Sequence, residues 1–273
     1  MAMPKGYLER AVSHDTWIVG LAVGLIVALA GLYTFRGVGM EMSALDMTRM
    51  AGPVGAPMQG GAPAVWTWEH AFVMLMMWWI MMIAMMTPSA APTLLLYSAL
   101  KRRSSEKERA AVLSLVFLTG YLLVWAVLSM AATGLQWLAE STGVANGSMM
   151  AINSRVVAGI VLILAGLFQY SSLKTACLTH CRSPAHFLAR HRGNGLRGAL
   201  ATGMRHGAFC LGCCWALMAL LFVGGVMNLF WIVGLALYVL AEKLVPYPRA
   251  FSRMAGAILV VAGAWTIAPG LSG

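Results

Sequence analysis

The chain has 273 residues, of which 60% are hydrophobic and only 10% charged, and its formal net charge is +10. A soluble domain carries roughly 25% charged residues, so the composition excludes an ordinary water-soluble globule. The basic residues are split among short segments with no aromatic-studded soluble domain beside them, which excludes nucleic acid as the partner.

Apolar runs long enough to cross a bilayer, about 20 residues each, recur along the chain. Hydrocarbon offers the backbone no hydrogen-bond partner, so such runs must be helices or a closed barrel. Barrel strands alternate in short segments, whereas these runs are apolar on all sides. The expected fold is all-α: a polytopic transmembrane helical bundle of about seven spans, with residues 1–273 in one integral membrane domain.

The first span runs from Trp17 to Phe35. Lys5 and Arg10 precede it, and Ala28-Leu29-Ala30 resembles a signal cleavage site. The apolar stretch continues through Leu32, Tyr33 and Phe35, which suits a retained helix; cleavage would leave six spans. Residues 36–65 follow as a Met-, Gly- and Pro-rich extracytoplasmic segment, expected to be a flexible loop. It carries Met40, Met42, Met47 and Met50 with Glu41 and Asp46 between them, a spacing that can gather Cu(I) loosely. Disorder with incidental methionines is the plainer reading.

The second span, Trp66 to Leu100, is the most unusual. At 100° per residue, His70, Met74, Met77, Met81 and Met85 fall with Pro88 and Pro92 in one stripe roughly 80° wide. Thioether sulfur is a soft donor that favours Cu(I) over hard cations. The prolines free backbone carbonyls and kink the helix. Methionine is also an adaptable filler of helix contacts, and at helical spacing it serves packing as readily as ligation.

The third span is Ala110 to Leu138 and the fourth Ile152 to Tyr170. The largest cytoplasmic loop, 171–205, holds Cys177 and Cys181 at i, i+4, a docking or release point for a metal if that turn is helical. A short interfacial helix is expected around Ala185 to Arg192. The fifth span, His206 to Val226, opens with His206-Gly-Ala-Phe-Cys210-Leu-Gly-Cys213-Cys214. His206, Cys210 and Cys213 share a helix face and Cys214 flanks it, a donor set that suits Cu(I) or Zn(II). Gly207 and Gly212 would admit a neighbouring helix closely. The sixth span is Asn228 to Ala241. Glu242 and Lys243 at its end can pair with each other or with His206, or act as interface anchors. The last span is Met254 to Ala268.

Basic residues in cytoplasmic loops set topology. With the N-terminus inside, all of the 19 Lys and Arg except Arg36, Arg49 and Arg155 lie in cytoplasmic segments. No cysteine then falls in an outside loop, so no structural disulfide is implied.

The Met-rich span ending Ala84-Met-Met-Thr-Pro88, the His206-Gly…Cys210-Leu-Gly-Cys-Cys-Trp-Ala-Leu-Met218 element and Glu242-Lys243 resemble the bacterial family of metal-binding integral membrane proteins called domain of unknown function 2182. The resemblance covers the stretch from about Trp66 to the sixth span. It implies metal binding in a bacterial inner membrane without naming metal or activity. The combined expectation is a multi-pass soft-metal protein, for copper before zinc, that transports the ion or delivers it to a periplasmic or cytosolic metalloprotein or metallochaperone. Neither a Walker loop nor an Asp-Lys-Thr-Gly site is present, so the chain is no metal-pumping ATPase by itself. A transmembrane thiol redox protein and a non-catalytic scaffold subunit are the alternatives.

Overall fold

The computed structural model describes residues 5–37, 42–55, 65–146, 150–191 and 193–270, with side chains from Trp17 onward. Its helices, in chain order, are α1 (Lys5–Arg36), α2 (Ala44–Arg49), α3 (Trp68–Arg102), α4 (Ala110–Ser141), α5 (Arg155–Phe168), α6 (Ser172–Arg182), α7 (Pro184–Arg190), α8 (Gly195–Ala219), α9 (Leu221–Gly224), α10 (Leu229–Leu244) and α11 (Pro248–Ile267). Between α4 and α5 a two-residue pair, β1 (Ala145–Asn146) and β2 (Ala151–Ile152), is antiparallel, with Ala145 opposite Ile152. Among the described residues the fold is all-α apart from this strand pair.

Among the described residues five helical stretches are long and apolar enough to cross a membrane: Trp17–Arg36, Trp68–Arg102, Lys107–Ser141, Gly195–Gly224 and Pro248–Ile267. A sixth arises if α5 and α6, bent by 63° at the break between them, count together. The expected sixth span, α10, has 16 residues, about 24 Å at 1.5 Å per residue, short of a hydrocarbon core about 30 Å thick. The fifth and seventh expected spans begin earlier than the apolar pattern suggested, at Gly195 and Pro248.

Local chemistry explains the breaks. Thr67 caps α3 by accepting from the His70 N–H, as N-cap hydroxyls do. Within α3, Pro88 and Pro92 offer no N–H, so two bonds of the helix ladder are missing near mid-length although the helix runs on. After Phe168 the chain turns, and the Ser171 hydroxyl accepts from the Lys174 N–H to start α6. Gly225 ends α9 at φ 91°, a conformation glycine takes without steric cost. Asn228 then caps α10, and the Thr48 hydroxyl of α2 accepts from the Leu229 N–H at 2.9 Å.

That last bond ties one described part of 36–65, the short helix α2, to the start of α10. Ser43 caps a helix over Ala44–Arg49, and Met47 is buried in the core. The described residues of 171–205 are a pair of short helices, α7 falling where a short helix was expected, and the first turns of α8, with Cys177, Cys181, Phe187 and Leu188 buried. The rest of the core is aromatic and sulfur-rich: Trp78, Tyr121, Trp125, Phe117, Met74, Met81, Met82 and Met86 are almost fully enclosed. Helices α4 and α8 meet backbone to backbone, since a side chain at Gly203 would collide with the Phe117 carbonyl. Close approach through small residues is the usual route to tight helix pairs where lipid replaces water.

Candidate functional site

The proline pair of α3 is where four helices meet. The Met86 carbonyl accepts from the Tyr121 hydroxyl of α4 at 3.0 Å and from Ser89 Oγ at 2.8 Å. Ser89 Oγ in turn accepts from Lys243 Nζ of α10 at 2.8 Å. The same ammonium lies 3.2 Å from Cys210 Sγ of α8, and the Tyr121 hydroxyl lies 3.3 Å from that sulfur. Cys210 is therefore approached by a cation and a phenol while fully buried.

The other thiols gather on it. Cys213 and Cys214 donate to the Cys210 carbonyl at 3.0 and 2.8 Å, the back-bond that short polar side chains make in helices. Cys181 of α6 is within hydrogen-bonding reach of both Cys210 and Cys213. Cys177 packs its sulfur against Gly212, in the space a β-carbon would need. All five cysteines are free thiols and all are buried. The two sets that are 29 residues apart in sequence, at Cys181 and Cys210, form one centre because α6 folds back along α8.

The thioether stripe points inward. Met74, Met77, Met81 and Met85 are each at most 2% exposed, and the stripe ends one turn above Ser89. His70 is half-buried at its outer end, edge-on to Trp66 with ring centroids 5.0 Å apart. In the preceding segment Met42 and Met50 are exposed and Met47 is buried, so these methionines do not share a face; Met40 lies outside the described residues.

One expectation needs correction, the pairing of Glu242 with Lys243, and the surroundings of His206 were not foreseen from the sequence. His206 lies on the buried face of α8 with Cys210 and Cys213, but its ring sits among Phe117, Tyr121 and Phe187, with centroids 5.9, 5.7 and 5.2 Å away. Both ring nitrogens are buried without a hydrogen-bond partner. Glu242 and Lys243 pair neither with each other nor with His206. Successive helical residues point about 100° apart, so Lys243 faces the thiols while Glu242 faces Lys174 at 2.7 Å, both side chains 1% exposed. Glu242 also accepts from Ser252 at 2.5 Å and from Tyr238 at 3.1 Å, and Lys174 donates to Gln169.

Among the described residues no three His, Cys, Asp or Glu side chains already surround a common metal position. The donors present are two to four thiols with one cation beside them. That set suits a soft monovalent ion, which two thiolates satisfy, and it is poor for a hard cation, which needs several oxygens. Tyr121 and Ser89 were not marked from sequence, and Lys243 was marked with other partners. A lysine one residue inside the end of an apolar helix was the available signal.

Fold and site together define an all-α protein with membrane-length helices and a sulfur-rich interior. Residues 75–266 match the family described as PpoB2, copper chaperone, and the chain belongs to that family. The match spans the Met-rich half of α3, the thiol centre and α11, and it carries the copper relation that the resemblance left unnamed. No curated protein and no solved structure matches the chain.

Proposed function

We propose that this copper chaperone family member is an integral membrane protein that holds Cu(I) on the thiols of Cys181, Cys210 and Cys213, with Cys214 in reserve, and delivers it to a partner metalloprotein. The observation that carries the reading is the convergence of α6, α8 and α10 on Cys210 at the proline pair of α3. Cu(I) held by two or three thiolates is an anion, and the Lys243 ammonium is placed to offset its charge. Uncompensated charge in a buried site costs several kcal/mol, so the lysine favours the loaded state.

The membrane setting is supported by the outer faces of the bundle. Leu21, Leu25 and Leu29 of α1, Phe230, Val233 and Leu237 of α10, and Ile258, Val261 and Trp265 of α11 are all exposed. Contiguous apolar surface of this extent demands a cover, and lipid acyl chains supply it. The basic loops place the N-terminus and the α6–α7 segment in the cytoplasm. In that orientation the thioethers of Met74, Met77, Met81 and Met85 run from the outer surface down to the thiols. Sulfurs about one helical turn apart form stations for an ion moving inward or outward. Cys181, nearer than Cys177 to the cytoplasmic end of α8, is the thiol from which a cytosolic partner would collect or receive the ion.

Purified, reduced protein is assayed for copper by elemental analysis after anaerobic loading with Cu(I). Wild type retains copper through desalting, and the Cys210→Ser, Cys213→Ser double variant does not. Equal copper in both, or none in either, removes the reading.

A further inference from the structure

In the orientation proposed, a cavity of about 830 Å3 opens toward the cytoplasm between α6 and the first turns of α11. Its charged lining is all basic: Lys174 and Arg182 from α6, Arg249 and Arg253 from α11, with no Asp or Glu among the described residues that line it. Glu242 neutralises Lys174 at 2.7 Å. The three arginines have no such partner. Arg182 donates to the Val245 carbonyl at 2.6 Å, which holds its guanidinium in place but offers no charge to offset it. Arg249 and Arg253 are exposed, and neither guanidinium is paired with an acid among the described residues.

The backbone adds to the same field. Helix α11 starts with Pro248 at its first position, without a side-chain cap and without an acidic residue in its first turn. Its first intrahelical bond runs from the Phe251 N–H to the Tyr247 carbonyl at 3.1 Å, so the Arg249 and Ala250 N–H groups before it have no helical acceptor. A helix start is electropositive and favours anions; here it is loaded with arginine, against the dipole. The walls are tied to one another, since the Tyr170 hydroxyl at the end of α5 donates to the Arg253 carbonyl at 2.8 Å. A fixed cavity with several unanswered positive groups calls for an anion.

Its place says which anion. Leu173 of α6 and Met254 of α11 are exposed beside it, and Ile258 and Val261 carry the apolar surface on along α11. A basic cavity at the head of an apolar strip matches an amphiphile with a negative head. The planar guanidinium fork fits phosphate oxygens, and basic pockets between membrane helices on the cytoplasmic side suit anionic headgroups. We infer that the cavity between α6 and α11 binds the phosphate head of an anionic phospholipid of the cytoplasmic leaflet, with its acyl chains along α11. The buried face of α6 carries Cys177 and Cys181, so the lipid braces the helix that completes the thiol centre. The proposal rests on the membrane reading and its orientation and is independent of the copper reading.

Full-length protein in neutral detergent, stripped of co-purifying lipid, is titrated with phosphatidylglycerol and in parallel with phosphatidylcholine, and lipid-bound protein is counted by native mass spectrometry. Wild type takes up phosphatidylglycerol about tenfold or more tightly than phosphatidylcholine. Arg249→Gln with Arg253→Gln removes that preference. Arg190→Gln with Arg197→Gln takes the same charge from exposed positions outside the cavity and keeps it. Equal affinity for the two lipids in wild type, or a preference that survives the Arg249 and Arg253 changes or is lost in both pairs alike, overturns the site. Inorganic phosphate in excess leaves the lipid bound; displacement would assign the cavity to a free anion and overturn the lipid. Failure of the membrane reading shows separately, as release of wild type from vesicles by an alkaline carbonate wash.

Discussion

Glu242 and Lys243 are adjacent in the chain and belong to two opposite kinds of buried polar structure. Around Glu242 every group is answered: Lys174, Ser252 and Tyr238 all point at one carboxylate, and Gln169 takes up the remaining reach of the lysine. Around Lys243 the structure is open. Cys210 gathers a lysine, a phenol and a neighbouring cysteine around one sulfur, and His206 one turn away has no hydrogen-bond partner for either nitrogen. A closed network ties α6, α10 and α11 into one unit and has no capacity left for a ligand. An open one, held in place by its closed neighbour, has donors to spare. The contrast separates a structural pair from a candidate ion site without reference to any motif.

Breaking the closed side gives the largest effect. Glu242→Gln or Lys174→Met leaves one uncompensated charge at a site with 1% exposure and costs about 3–5 kcal/mol. Denaturation in detergent, followed by helix circular dichroism, measures it. Replacing both partners together by Met and Leu should recover most of that loss, because the buried charge then disappears with its partner.

On the open side the expected losses are in copper and not in folding. Cys181→Ser with Cys210→Ser lowers Cu(I) affinity by about 100-fold in competition with a chromogenic chelator, whereas Cys177→Ser, farther from the centre, lowers it by no more than about tenfold. Lys243→Met is expected to weaken Cu(I) by about tenfold and Lys243→Arg to restore part of it. Rescue by arginine would show that the charge, and not the packing of the side chain, is what the thiolates need.

The smallest effect sharpens the comparison at the cytoplasmic surface. There Glu106 accepts from Lys101 at 2.5 Å and from the Gly195 N–H at 2.7 Å, joining the α3–α4 turn to the start of α8. The Lys101 bond first, and the Gly195 bond second, hold the Glu106 carboxyl below its ordinary value. A depressed carboxyl stabilises the fold above its unfolded pKa, about 4.3, and the contribution is lost as pH falls through the folded value. The thermal midpoint of wild type should therefore drop more than that of Glu106→Gln as pH is lowered below about 4.

The helices and their approximate places were legible because hydrocarbon leaves the backbone no choice. Half of the site was legible too. The 100° rotation put His206, Cys210 and Cys213 on one face and the methionines of α3 in one stripe, and both faces are buried. What periodicity could not supply was the tertiary step. Cys181 joins Cys210 only because the chain bends by 63° after Phe168, and the hint was a capping Ser171 directly after an apolar run. The ring contacts of His206 were hidden for the same reason: it shares a helix face with the thiols, and the rings packed on it come from α4 and α7, far away in sequence.

X-ray absorption at the copper edge of protein loaded with one equivalent of Cu(I) tests the central claim most directly. The account predicts a first shell made of sulfur alone, lost or replaced by lighter ligands when Cys181, Cys210 and Cys213 are changed to Ser. A first shell of nitrogen and oxygen in wild type, unaltered by those substitutions, would contradict it.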